Sequence, residues 1–212
     1  MANTLTPSNF SSIPVLDYPL LHTDRAAFLT QLRHALIHVG FLYLRDAPVD
    51  TASVVEQVPR FFALQQEAKD RLAMTNNEHF LGYTKMGTEW TKGAQDWREQ
   101  IDIATPHENE WKQGDPDYLR LWGPAQVCFA SRSPICECAL ICSPLQWPSE
   151  EELPGFKPVV ERFFIDTDVL AYEFTGLVAE ALGLSSEALS DFFEPPGQMQ
   201  HRGKVDLISF SI

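Results

Sequence analysis

Outside one short window this chain contains no cysteine. Cys128, Cys136, Cys138 and Cys142 all fall inside residues 126–148, QVCFASRSPICECALICSPLQWP, of a 212-residue sequence. A disulfide framework holding the whole fold is therefore excluded, and nothing else points to an oxidising compartment. The spacing C-x7-C-x-C-x3-C also lacks the paired C-x2–4-C hooks of structural zinc sites. Positive charge is scarce too: 16 Lys and Arg stand against 29 Asp and Glu, a net charge of −13. Nucleic acid is a poor partner for such a chain, because phosphate neutralisation needs clustered cations. No apolar run is long enough to span a bilayer, and no basic leader precedes an apolar segment. These absences lead us to expect a cytoplasmic protein with no membrane partner. Without a Gly-x-Ser-x-Gly elbow or a glycine-rich phosphate loop, serine-hydrolase and nucleotide chemistry have no anchor. There is no internal repeat and no low-complexity block.

What remains is an ordinary globular composition, 44% hydrophobic and 21% charged, with 14 Phe and five Trp to build a core. Residues 1–12 are polar and read as a loose end. Ile13–Asp17 suits an edge strand, since Pro14 cannot donate to a ladder. Thr23 or Asp24 caps a helix carrying Ala27, Phe28, Leu32, Ala35, Leu36 and Val39 at helical spacing, and Gly40 stops it. Phe41–Leu44 then reads as a buried strand. Val54, Val55, Val58, Phe61 and Phe62 mark a second helix, kinked or restarted at Pro59. Glu67–Met74 is a third, short one. Residues 80–104 read as loop plus short strands, with Gln100–Ala104 alternating like a half-buried strand. The longest predicted helix spans 157–182, its apolar stripe of Val160, Phe163, Phe164, Leu170, Phe174 and Leu177 reading as core, and Gly183 follows as its C-terminal cap. Ser185 or Ser186 caps a short successor helix ending near Phe193, and a strand begins at His201. The order is α+β, without the eight evenly spaced strands of a closed barrel or jelly roll.

Several stretches together resemble the Fe(II)- and 2-oxoglutarate-dependent dioxygenases of the isopenicillin N synthase-like superfamily. They are IPVLD at 13–17, HVGFLYL at 38–44, FFALQQEAKDRLAM at 61–74, GYTKMGTEWTKGAQDWREQIDI at 82–103, LWGPAQ at 121–126, QWPSEEELPGF at 146–156, AEALGL at 179–184 and MQHRGKV at 199–205. The resemblance implies the helix-rich N-terminal portion of a double-stranded β-helix, or jelly roll, with the barrel largely missing. It implies an oxidoreductase coupling 2-oxoglutarate decarboxylation and O2 to oxidation of a small molecule, with secondary metabolism as one setting. Fe(II) would be held by a His-x-Asp pair and a later His, and 2-oxoglutarate by an Arg-x-Ser; three protein ligands leave three positions open for the oxoacid and oxygen. Those residues lie beyond MQHRGKV in the family. The expectation is therefore an inactive chain with no cofactor of its own, and no residue is assigned a catalytic, cofactor-binding or metal role.

The one His-x-Asp in the sequence is His22-Thr23-Asp24. It sits where a helix starts, so Asp24 reads as a cap and His22 as an exposed loop residue; His79, His107 and His201 are the other histidines that could complete a triad with it. Within 82–99, Tyr83 and Arg98 are the candidate substrate-facing residues. Tyr83 can stack or hydrogen-bond and Arg98 can clamp a carboxylate. The plainer alternative pairs Arg98 with Asp96 or Glu99 and packs Tyr83 beneath the loop.

Deleting 127–146 joins LWGPAQ to WPSEEELPGF, the continuous family pattern. Val127-Cys128 can be encoded by a 5′ splice sequence, Leu140-Ile141 can contain a branch point, and Gln146 can end in CAG. The expected organisation is a loose end at 1–12, a non-haem dioxygenase N-terminal domain at 13–126 and a retained-intron insertion at 127–146. The long helix and first barrel strand follow at 147–205, then an aberrant tail at 206–212. Two other readings compete: a non-catalytic binding or regulatory module derived from the family, and a zinc protein built on the cysteines.

Overall fold

The computed structural model describes residues 12–76, 79–105, 112–121, 147–194 and 198–208. The cysteine-rich stretch 127–146, His107 and residues 209–212 lie outside the described residues. The chain divides into two compact units. One comprises residues up to Val49 together with Ile165–Met199, the other Asp50–Phe164 together with residues from Gln200 on.

The first unit holds β1 (Val15–Asp17), α1 (Leu20–Thr23), α2 (Arg25–His38) and β2 (Tyr43–Arg45). To these it adds the C-terminal part of the long helix Phe156–Ala181. Asp24 caps α2 by accepting from the Ala27 N–H at 3.0 Å, and Gly40, at φ +91°, lets the chain turn away. β1 and β2 pair in parallel, Val15 with Tyr43 through Asp17 with Arg45. Phe28, Leu32 and Ala35 repeat on one side of α2 and are fully buried among Leu16, Leu177 and Ala181. Each of the larger ones contributes about 1.5–3 kcal/mol by leaving water. Polar ties reinforce the contact: Arg25 grips Glu180 through two nitrogens, Arg33 donates to the Ala181 carbonyl, and the Tyr18 hydroxyl donates to Glu173 at 2.7 Å. Burial, then the Glu173 carboxylate, push that hydroxyl up to about 12.

Two expectations fail in this unit. Phe41–Leu44 is not a buried strand: β2 is shorter and later, and Phe41 and Tyr43 are exposed. With β1 as its sole described partner, the strand leaves those side chains uncovered. The helix expected after Ser185 is only partly formed: turns (Ala188 N–H to Ser185, Ser190 to Glu187) lead into a single 3-10 turn at Ser190–Phe192, where Phe192 N–H reaches Leu189. Pro195 and Pro196 follow closely and disfavour helical continuation.

The second unit holds α3 (Thr51–Phe62), α4 (Gln66–Arg71), β3 (Gly82–Thr84), the hairpin β4 (Trp90–Thr91) and β5 (Ala94–Gln95), β6 (Arg98–Ala104) and, near the end of the chain, β7 (Arg202–Ile208). The long helix, α5, begins here at Phe156. Pro59 lies inside α3, which continues past it to Phe62. β3, β6 and β7 form an antiparallel sheet in that order, Tyr83 opposite Ile101 and Ile101 opposite Val205. β7 runs through Ile208, three residues beyond the boundary expected at 205, because β6 offers partners as far back as Arg98. Phe61, Phe62, Tyr83, Ile101, Ile103, Phe156 and Phe164 pack into one core. Two glycines are required by close approach. A Cβ at Gly82, already at φ +118°, would lie 2.3 Å from the Leu72 carbonyl oxygen, and one at Gly203 would lie 2.9 Å from the Phe164 ring.

Candidate functional site on the two faces of β6

Alternation along β6 sends Glu99, Ile101 and Ile103 to one side of the sheet and Arg98, Gln100 and Asp102 to the other. The first side is closed. Glu99 accepts from Lys69 Nζ at 2.9 Å and from the Tyr83 hydroxyl at 2.5 Å. Lys69 also donates to the Phe62 carbonyl at 3.0 Å and sits 5.4 Å from the centre of the Tyr83 ring. The three residues are 5%, 7% and 2% exposed for Lys69, Glu99 and Tyr83. Burial, then the Glu99 hydrogen bond, drive the Tyr83 hydroxyl well above the ordinary phenol range, so it stays a donor.

The other side is polar. Arg98 Nη2 donates to Glu89 at 3.0 Å and lies 3.4 Å from Asp96. Gln100 Nε2 lies 3.2 Å from both Glu89 Oε1 and Asp102 Oδ2, bridging two carboxylates. Lys204 approaches Asp102 at 3.7 Å from β7. Burial raises the Asp102 carboxyl above its ordinary value; Lys204 opposes this and Asp206 and Glu89 add to it. Gln100 is 1% exposed, so the strand expected to be half-buried is covered at this position on its polar side as well, while Arg98 and Asp102 stay partly exposed. Mutual pairing lets these polar groups be buried. Two atoms are left over: Gln100 Oε1 and Arg98 Nε are buried and find no partner among the described residues.

Beside this cluster opens a cleft of about 460 Å3, lined by Met74, Phe80, Tyr83, Lys85, Thr88 and Glu89 among others. Its size is that of small-molecule sites. Tyr83 contributes to its wall while its hydroxyl points to Glu99. Arg98 does not line the cleft and reaches it through Glu89. The structure thus pairs Arg98 with Glu89 and Asp96 and buries Tyr83, without joining the two in one contact. Sequence reasoning missed Lys69, Glu89, Glu99, Gln100 and Asp102. A signal existed for two of them: Lys69 stands three residues before the buried Leu72 on the same side of α4, and Glu99 shares the alternation of Ile101 and Ile103.

His22 and Asp24 are kept apart from this chemistry. Asp24 is the cap of α2, and His22 is exposed, edge-on to Tyr18 at 5.5 Å. His79 is buried, and the backbone of His201 is bonded to Thr105. Among the described residues no group of three or more His, Cys, Asp or Glu could hold a metal ion. These donors do not fit a 2-His-1-carboxylate iron site. Among the described residues, no helix is long and apolar enough to cross a membrane.

Residues 13–127 match the family described as the N-terminal region of non-haem dioxygenase in morphine synthesis. The chain is 36% identical over 202 residues to the 2-oxoglutarate-dependent dioxygenase frbJ of Dothideomycetidae sp. (strain 11243), covering 93% of this chain and 48% of frbJ. It belongs to the non-haem, 2-oxoglutarate-dependent dioxygenases. A second family member, the 2-oxoglutarate-dependent dioxygenase of Gibberella zeae, is 34% identical over 89% of this chain and 45% of its own length. Among solved dioxygenase-fold structures, a Neurospora crassa protein crystallised with alpha-KG and thymine superposes with a TM-score of 0.57 at 20% identity, covering 84% of this chain and 50% of that one. The fold is accordingly the α+β, helix-rich N-terminal portion of a jelly-roll oxygenase. Members of this dioxygenase family use Fe(II) and 2-oxoglutarate, and the chain spans about half the length of the relatives it matches.

Proposed function

We propose that this chain is the framework portion of an oxidoreductase that couples 2-oxoglutarate decarboxylation and O2 to oxidation of a small molecule, and that alone it neither binds Fe(II) productively nor turns over. The observation that carries this reading is the position of its single His-x-Asp: Asp24 serves as a helix cap beside an exposed His22. In this reading the cleft beside β3 accepts part of the substrate, with Tyr83 forming its wall and Arg98 orienting Glu89. Residues 127–146 interrupt the family pattern between LWGPAQ and WPSEEELPGF and are a retained intron. Sequencing the mature transcript tests that clause; transcripts that all retain the segment would overturn it.

An exposed apolar stripe supports the framework role over a free-standing binding module. Ile165, Val169 and Tyr172, spaced along one side of α5, are 56%, 55% and 41% exposed, a pattern that marks a surface meant to be covered. The 212-residue chain is expected to bind an apolar dye and to self-associate on size exclusion. Co-expression with the C-terminal half of frbJ should suppress both and restore 2-oxoglutarate-dependent succinate formation. A monodisperse, dye-silent chain would instead favour the binding module.

A further inference from the structure

β7 is an outer strand of the sheet β3–β6–β7, and only one of its edges is taken: Arg202–Ile208 pairs residue by residue with β6. The ladder skips no residue, so β7 carries no bulge, and it contains no proline. Among the described residues no backbone group bonds its other edge. A row of donors and acceptors there is open to strand addition.

The side chains along β7 decide what can pair with it. Arg202, Lys204, Asp206 and Ile208 share the polar side of the sheet, while Gly203, Val205 and Leu207 share the side packed by Phe164. Leu207 and Ile208 are 42% and 58% exposed. Suppose the strand meets a second copy of itself, antiparallel and centred on Val205. Lys204 then stands opposite Asp206 of the second copy, and Asp206 opposite its Lys204. On the other side Val205 faces Val205, and Gly203 faces Leu207. Moving the centre to Lys204 or to Asp206 sets like charges directly opposite each other, so one register is favoured.

We propose that two copies of the 212-residue chain join through their β7 edges in this register, forming one continuous antiparallel sheet. The two crossed Lys204–Asp206 pairs are self-complementary, as a closed two-fold interface requires. The interface uses residues other than the exposed stripe of α5, and it does not rest on the dioxygenase reading.

Sedimentation equilibrium at physiological ionic strength, combined with backbone hydrogen exchange, tests it. The wild type is expected to dimerise, with the amides of Arg202–Ile208 exchanging more slowly as protein concentration rises. Asp206→Lys sets lysine opposite lysine at both crossings and should weaken the dimer by about tenfold or more. Within the chain, Asp206 lies opposite the amide of Gln100, so this variant should keep the far-UV spectrum. Adding Lys204→Asp to Asp206→Lys re-creates opposite charges at both crossings and should return the lost affinity. Association through the α5 stripe would ignore both changes, which tells the two surfaces apart. The proposal is overturned by a wild type that stays monomeric up to its solubility limit, or by β7 exchange that does not respond to concentration. It is equally overturned by an Asp206→Lys dimer as tight as wild type, or by a folded double variant that remains monomeric.

Discussion

Glu99 and Gln100 are neighbours on one strand, face opposite ways, and meet burial by different means. Glu99 enters the core with a full complement of partners: an ammonium, a phenol and, through Lys69, a backbone carbonyl. Gln100 is buried just as deeply, yet its amide nitrogen is shared by two carboxylates and its carbonyl oxygen has no described donor. The closed side has the character of a structural tie between α4, β3 and β6. The polar side, next to a cleft, keeps unmet hydrogen-bonding capacity of the kind found where a protein binds something.

The sharpest way to break this comparison is to remove one partner on the closed side. Lys69→Met leaves Glu99 charged and buried, and should lower the unfolding free energy by about 3–5 kcal/mol in urea denaturation. Replacing the whole cluster, with Glu99→Leu and Tyr83→Phe added so that no buried donor is orphaned, should recover most of that loss, because the pair is destabilising to break more than it is stabilising to have. Tyr83→Phe keeps the ring in the core and deletes one donor to a carboxylate, an expected loss of about 1.5–3 kcal/mol by the same assay. On the polar side the effects shrink. Gln100→Met forfeits two bonds but also removes the orphan carbonyl, so its net change should stay below about 1 kcal/mol. A Gln100→Met loss as large as that of Lys69→Met would erase the distinction between the two sides.

The smallest effect is a dependence on pH. A carboxyl whose folded value is raised holds its proton more tightly in the folded state. Asp102 therefore favours folding fully below its ordinary 3.8, and that contribution declines as pH rises through the raised value. Asp102→Asn lacks this decline. The melting temperature of the variant relative to wild type should increase as pH is raised from 3.8, measured by thermal melts at matched ionic strength. A difference that stays constant or moves the other way would show that Asp102 is paired as well folded as unfolded.

Much of the scaffold was legible because its signals are local. Asp24 before α2, Gly40 after it and Gly183 after α5 are caps that sequence spacing exposes directly. The stripe of Phe28, Leu32 and Ala35 lies where helical period puts it. β2 was misplaced because burial of a strand depends on which strands lie beside it, and this is not a local property. After Ser185 the expected helix shortens to a 3-10 turn at Ser190–Phe192, with two prolines soon after it. The candidate site was less legible still. Lys69 and Glu99 stand 30 residues apart, and Glu89 meets Gln100 only because the β4–β5 hairpin folds back. Tyr83 and Arg98 were chosen from their family context, without sight of the partners that decide what each can do.

Succinate formation by the purified 212-residue chain, supplied with Fe(II), 2-oxoglutarate, ascorbate and O2, tests the central reading most directly. The account predicts no succinate above the enzyme-free rate from this chain alone, and turnover once the chain is completed with the C-terminal half of a relative such as frbJ. Metal-dependent succinate production by the 212 residues on their own would contradict it.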